Sequence, residues 1–217
     1  FFDGNIDDVS IFNTALTQSQ INTVFNSGVP ADLSTFSNKS FLFDGIDDYI
    51  TLGTSSDLKP AHITLSVWYY PTAVGTKGAI IANSHSGSGY SPYYVAHWTT
   101  DKICLIMVTD TNNQVFSTAT LSYNQWYHIA VTYDGSSAKI YIDGSLDSTH
   151  SFSGNIDYSG LSLDGGFIGK RPDYAQYITG KIDDVSIFDT GLSAVQITAM
   201  YNNGKPSDLS AESGLVG

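Results

Sequence analysis

The sequence predicts an all-β fold, a sandwich or jelly roll, and three observations carry that prediction. Short runs in which residues of two kinds alternate with a period of two recur along most of the chain, as strands between packed layers do. Turn signals rich in Asp, Gly, Asn and Ser separate these runs at roughly even spacing. Helical signals are confined to two short segments, each following one copy of a repeated motif.

From the N-terminus, the first element is that repeat. "GNIDDVSIF" at 4–12 returns as "GKIDDVSIF" at 180–188, followed by "NTALTQSQINTVFNSGVPADLS" and "DTGLSAVQITAMYNNGKPSDLS" respectively. Matched residues, from Gly4 with Gly180 to Ser34 with Ser210, stand 176 positions apart, a domain-sized period. Each copy predicts a helix of about two to three turns. Thr17 before Gln20, and Ser193 before Gln196, have capping-box spacing, in which hydroxyl and amide satisfy free N–H groups. Gly28 and Gly204, with Pro30 and Pro206 close behind, predict left-handed stops.

The strands follow in order: "ITLSVWYY", "KGAIIAN", "YYVAHW", "KICLIMV", "QVFSTATL", "WYHIAVTY" and "AKIYIDG". In "WYHIAVTY", Tyr127, Ile129, Val131 and Tyr133 alternate with Trp126, His128, Ala130 and Thr132. Turns are expected at "SGSG" (86–89), "TDTNN" (109–113), "YDGSS" (133–137) and "DGS" (143–145). The single Cys104, inside an apolar run, reads as a buried inert thiol, so no disulfide framework exists.

Composition narrows the function classes. With 217 residues, 41% of them hydrophobic and 13% aromatic, the chain can bury a sizeable core. Nine Lys plus Arg against 21 acids give a net charge of −12, which disfavours nucleic acid and anionic membranes as partners. No apolar stretch approaches the ~20 residues of a membrane helix, so no membrane insertion is expected. Glu212 is the lone Glu among the acids, and Asp favours turns, caps and hard-cation ligation.

The segments "FLFDGIDDYITLG" (41–53), "ITLSVWYYP", "WYHIAVTYDGSSAKIYIDG" and "GKIDDVSIFDTGLSAVQITAMYNNG" resemble, in order, the signatures of laminin-G-like domains of the concanavalin A-like lectin/glucanase superfamily. The resemblance covers about residues 41–204 and implies a jelly-roll sandwich of two antiparallel sheets. It further implies structural Ca²⁺ and binding to glycans or proteins. Because the "IDDVSIF" segment and its helix close a domain in this family, residues 1–34 are expected to close a preceding homologous module. Residues 35–207 then form the sandwich, and 208–217 a linker or the start of a following module.

Two constellations are candidate sites. The family places first and last strands close together, which would gather Asp44, Asp47, Asp48, Asp183 and Asp184 around a Ca²⁺ ion, with backbone carbonyls completing its six to eight oxygens. Turn chemistry beside Gly45 is the competing reading of these residues. In "NSHSGSGYSPYYVAHW", Tyr90, Tyr93 and Trp98, with Tyr174 or Tyr177 from elsewhere, are candidates to stack on sugar faces, although half of this stretch is expected in the core.

No enzyme is expected. Glycoside cleavage in this superfamily uses paired Glu, which the chain lacks, and Asp183 and Asp184 are adjacent on a strand. His62, His85, His97, His128 and His150 show no zinc spacing, and His128 reads as a structural strand residue. The expected function is a non-catalytic, Ca²⁺-stabilised adhesion module for a glycan or surface protein, beside neighbouring homologous modules in an extracellular, cell-surface or virus-particle protein. The alternative is a purely structural repeat.

Overall fold

The structure, a computed structural model, describes residues 17, 18, 21, 40–73, 77–83, 91–159, 165–171, 176–204 and 214–215. The chain divides into two compact units, Phe1–Ser40 and Phe41–Gly217. Of the first, one helical bond is described, Ile21 N–H to the Thr17 carbonyl at 2.9 Å; the capping partner Gln20 and the stop at Gly28 lie outside the described residues.

The second unit is the predicted sandwich. In chain order its strands are β1 (Phe41–Asp44), β2 (Ile50–Gly53), β3 (Ile63–Pro71), β4 (Gly78–Asn83), β5 (Tyr93–His97), β6 (Ile103–Val108) and β7 (Asn112–Phe116). There follow β8 (Tyr127–Tyr133), β9 (Ser137–Ile142), β10 (Ser145–Ser151), β11 (Gly166–Ile168), β12 (Lys170–Arg171), β13 (Gln176–Tyr177) and β14 (Thr179–Phe188). A 3-10 turn, Ser56–Leu58, lies between β2 and β3, and the one described α-helix of that unit, α1 (Ala194–Tyr201), closes the series. One six-stranded sheet has the order β1-β14-β3-β8-β9-β10, the other β2-β11-β4-β5-β6-β7, and β12 pairs with β13.

The period of two works here with both faces covered. Along β8, Tyr127, Ile129, Val131 and Tyr133 enter the core between the sheets. Ala130 instead joins Tyr141, Phe188, Leu192, Ile197 and Met200 in a second cluster beneath α1. Strand β3 does the same: Leu65, Val67 and Tyr69 go inward, while Trp68 stacks on Tyr201 of α1 at 5.8 Å. Burial on two sides is why these strands read as near-continuous apolar runs.

Turn chemistry explains the hairpins. Asp143 and Gly144, both left-handed (φ 52° and 72°), join β9 to β10 as a two-residue connection. In "YDGSS", Asp134 Oδ1 accepts the Ser136 and Ser137 N–H groups at 2.9 and 2.8 Å. Burial opposes ionisation of this carboxyl, but the Ser136 and Ser137 donors outweigh it and bring its pKa down to about 2.

Two expectations need correction, and one strand carries no sequence signal. The "QVFSTATL" strand starts earlier and ends at Phe116: the Ser117 N–H still donates to the Ile103 carbonyl at 2.8 Å, but the N–H groups that follow, of Thr118 and Ala119, turn to the Asp147 carboxylate. The α1 capping box forms as expected between Ser193 and Gln196, and Gly204 is left-handed as expected (φ 85°), but the left-handed stretch begins two residues earlier, with the cap at Asn202 (φ 46°); Asn tolerates that conformation. Strand β10, "SLDSTHS", is mostly polar and gives no alternation signal because it lies at a sheet edge.

Candidate functional site

The β1–β2 connection builds the acidic site. Asp44 Oδ1 accepts the Ile46 N–H at 2.8 Å, and Asp48 Oδ2 accepts the Asp44 N–H at 3.1 Å, so the turn chemistry read from the sequence is present. Gly45 is left-handed (φ 83°), and a side chain there would strike Thr179 Oγ1. The same turn brings one carboxylate oxygen each from Asp44, Asp47 and Asp48 within 4.8 Å of one another. Oxygens around one Ca²⁺ at ~2.3–2.6 Å lie up to about 5 Å apart, so this donor set fits a hard cation, with carbonyls or water completing it.

Asp183 and Asp184 do not join that cluster. Strand β1 pairs with β14 from Phe41↔Ile182 to Asp44↔Thr179, so Asp44 and Asp183 sit at opposite ends of the ladder. Four residue steps of strand lead from Thr179 to Asp183, about 13 Å along β14. The register therefore divides the expected five-carboxylate site in two. Asp183 and Asp184 occupy a bulge instead, with Asp184 left-handed (φ 45°) and its N–H donating to Asp183 Oδ1 at 3.0 Å. Desolvation, and then the Asp183 charge, raise the Asp184 pKa to about 6.

The aromatic candidates separate as well. Tyr90 and Tyr174 lie outside the described residues. Tyr93 is only 1% exposed and donates its hydroxyl to the Leu58 carbonyl, so it is a core residue and not a sugar platform. The reason is that β5 lies inside its sheet, with β4 and β6 on either side and the other sheet over one face. Trp98 and Tyr177 remain half-buried.

Trp98 belongs to the outer face of the second sheet, beside Ala79, Ala82, Tyr94, Ala96 and Ile106. Antiparallel partners share a face, and the register aligns Phe167, Ala82, Tyr94 and Ile106 in one row across it. Cations sit on the rings of this face. Lys77 Nζ lies 3.6 Å from the Trp98 ring centre, and Phe116 meets that ring edge-on at 5.6 Å. The Arg171 guanidinium lies 4.4 Å from the Tyr94 ring and donates to its hydroxyl at 2.9 Å. Lys170 Nζ is 3.9 Å from Tyr49, 5.5 Å from Tyr177 and 6.0 Å from Phe167.

Sequence reasoning missed Tyr49, Lys77, Lys170 and Arg171. The available signal was the Lys170-Arg171 doublet in a chain with only nine basic residues. Cys104, paired opposite Ala96, is buried, and desolvation pushes its thiol up to about 12, as expected of an inert core thiol. His128 is 2% exposed, and its Nε2 lies 2.9 Å from Ser66 Oγ, a structural placement.

Among the described residues no helix is long and apolar enough to cross a membrane. A family model described as the concanavalin A-like lectin/glucanases superfamily matches residues 44–198. Adhesion G-protein coupled receptor V1 of Danio rerio is 28% identical over 165 residues, which is 72% of this chain and 3% of the receptor. Among solved structures, a candidate carbohydrate binding protein from Bacteroides ovatus is 17% identical with a TM-score of 0.62, over 82% of this chain and 50% of that one. The CBM40 of the Ruminococcus gnavus IT-sialidase, bound to α2,3 sialyllactose, is 13% identical with a TM-score of 0.58, over 75% and 99%. At such identities the structural likeness speaks to fold alone, whereas the family match spans well over half of the chain. The chain therefore belongs to the concanavalin A-like lectin/glucanases superfamily.

Proposed function

We propose that this chain is a non-catalytic binding module that recognises a glycan or a surface protein through the outer face of the β2-β11-β4-β5-β6-β7 sheet. One observation carries the reading: half-buried Trp98 and Tyr177 and the 45%-exposed Tyr49 stand there, with Lys77 over one ring and Lys170 over the others. Aromatic faces stack on the apolar faces of sugars, and an ammonium beside them donates to hydroxyls or anionic groups. The carbohydrate-binding names among the structural neighbours and the adhesion-receptor relative agree with it, and with an extracellular or surface location.

The proposal includes Ca²⁺ held by Asp44, Asp47 and Asp48, where it would neutralise three crowded carboxylates and stiffen the β1–β2 turn. It also places the module beside homologous neighbours in a tandem array, on the strength of the 176-residue repeat. A structural-repeat reading has its own observation: edge strand β1 exposes Phe41 (63%) on one face and Leu42 (65%) on the other, with Ile46 (72%) in the following turn, apolar side chains that a neighbouring module would cover.

The test is a glycan array with the purified chain and a Trp98→Ala variant, with and without Ca²⁺. Selective binding lost in the variant supports the reading. No glycan bound, together with concentration-dependent self-association, turns it toward a structural repeat.

A further inference from the structure

The chain carries 21 acids against nine Lys plus Arg, and its two large sheets do not share that imbalance. Strands of the β1-β14-β3-β8-β9-β10 sheet hold Asp44, Asp147, Asp183 and Asp184 against Lys139 and Lys181. The strands of the other sheet, with β12 and β13, contain no Asp or Glu. Its outer face carries Lys77, Lys170 and Arg171 on its rings instead. Two described acids close in sequence to those rings are turned elsewhere. Asp48, before Tyr49, accepts the Asp44 N–H, and Asp101, after Trp98, sets its carboxylate 3.6 Å from Nε2 of the buried His97. Cys104 lies on the face, between Ala96 and Phe116, and senses its field. Burial pushes this thiol up, but the Gln114 amide and then the charges of Lys77 and Arg171 act the other way, toward the anion. Among the described residues Lys170 forms no ion pair, and its half-buried ammonium rests on Tyr49 and Tyr177. Rings hold an ammonium in place without neutralising its charge.

We propose, resting on the outer-face reading above, that the ligand of this face is an acidic saccharide, one bearing carboxylate or sulfate groups, with Lys77 and Lys170 as its charged contacts. Ring stacking by itself does not separate neutral from acidic sugars, but hydrogen bonding does. Each sugar hydroxyl is a donor as well as an acceptor, so a neutral sugar is best served by carboxylates that receive its protons. The strands of this sheet offer none, whereas a lysine ammonium only donates and suits an anionic group. On a chain of net charge −12 most of the surface repels an anion, and a sheet whose strands hold no acid directs it here. Arg171, 7% exposed and held on Tyr94, adds its charge from beneath.

The test is an array of neutral, uronate-containing and sulfated oligosaccharides, with poly-glutamate as a polyanion that is no sugar. It is probed with the full chain and with Lys170→Met, Lys77→Met, Lys170→Arg, Trp98→Ala and, on the other sheet, Lys139→Met. The expected result is selective binding to uronate or sulfated members, weakened about tenfold at low salt in Lys170→Met and in Lys77→Met, and retained in Lys170→Arg and Lys139→Met. The uronate and sulfated arms tell carboxylate from sulfate recognition. Binding confined to neutral sugars and lost in Trp98→Ala overturns this proposal while the outer-face reading stands. Acidic-sugar binding that both Lys→Met variants keep in full also overturns it, as does equal binding to poly-glutamate. Binding to no member of the array overturns both.

Discussion

Lowering the pH tests how the layer beneath α1 is built. His128 lies there with its ring 5.4 Å from Trp68 and 6.0 Å from Tyr201, and burial lowers its pKa from 6.5 to about 4. Between those values the unfolded chain binds a proton that the folded chain refuses. The stabilising contribution of the neutral ring is therefore complete above pH 6.5 and is lost as the pH falls toward 4. Linkage over that interval amounts to about 2 kcal/mol at pH ~5 and about 3 kcal/mol at pH ~4. The assay is urea unfolding across this range for the wild type and His128→Phe, which keeps an aromatic ring but does not titrate. The variant leaves the Ser66 hydroxyl without its imidazole partner, a cost of about 1 kcal/mol that is independent of pH. The two stability curves should converge or cross as the medium becomes acidic, because contributions from other titrating groups largely cancel in the difference. Curves that stay parallel would refute the reasoning and mean that His128 accepts its proton without strain.

Asp184→Asn should stabilise the chain above pH ~6, by roughly 2 °C in Tm given the exposed setting, and the gain should vanish below the ordinary 3.8 as the native carboxyl takes up its proton in both states. Thermal melts at several pH values measure this, and Asn tolerates the left-handed backbone. Ser193→Ala should cost about 1 kcal/mol, or a Tm loss of about 2–4 °C, through the capping box of α1. Gly78→Ala should cost about 1–3 kcal/mol by chemical denaturation, because a Cβ there would sit 2.5 Å from the Ile178 Cα and 2.6 Å from the Tyr177 carbonyl oxygen. Asp48→Asn should abolish any Ca²⁺-dependent rise in Tm, whereas Asp184→Asn should leave it intact; equal loss in both would rejoin the two acidic groups.

The sequence by itself determined the strands buried on both faces, because the alternation in "WYHIAVTY" survives whatever covers each face. It also determined the hairpin at Asp143-Gly144, the cap at Ser193 and the turn at Asp44, where a residue's own side chain or backbone conformation sets the structure locally. Only the tertiary structure decided which distant groups meet. Register placed Asp183 and Asp184 at the opposite end of the β1–β14 ladder from Asp44, and sheet order put Tyr93 in the core while leaving Trp98 on the outer face. Lys77 and Lys170 reach their rings across strands far apart in sequence, and Leu215 finds Phe188 across the closing helix. A one-dimensional pattern fixes which face of a strand is apolar, but pairing and register belong to the whole sheet, and those long-range pairings assemble the candidate site.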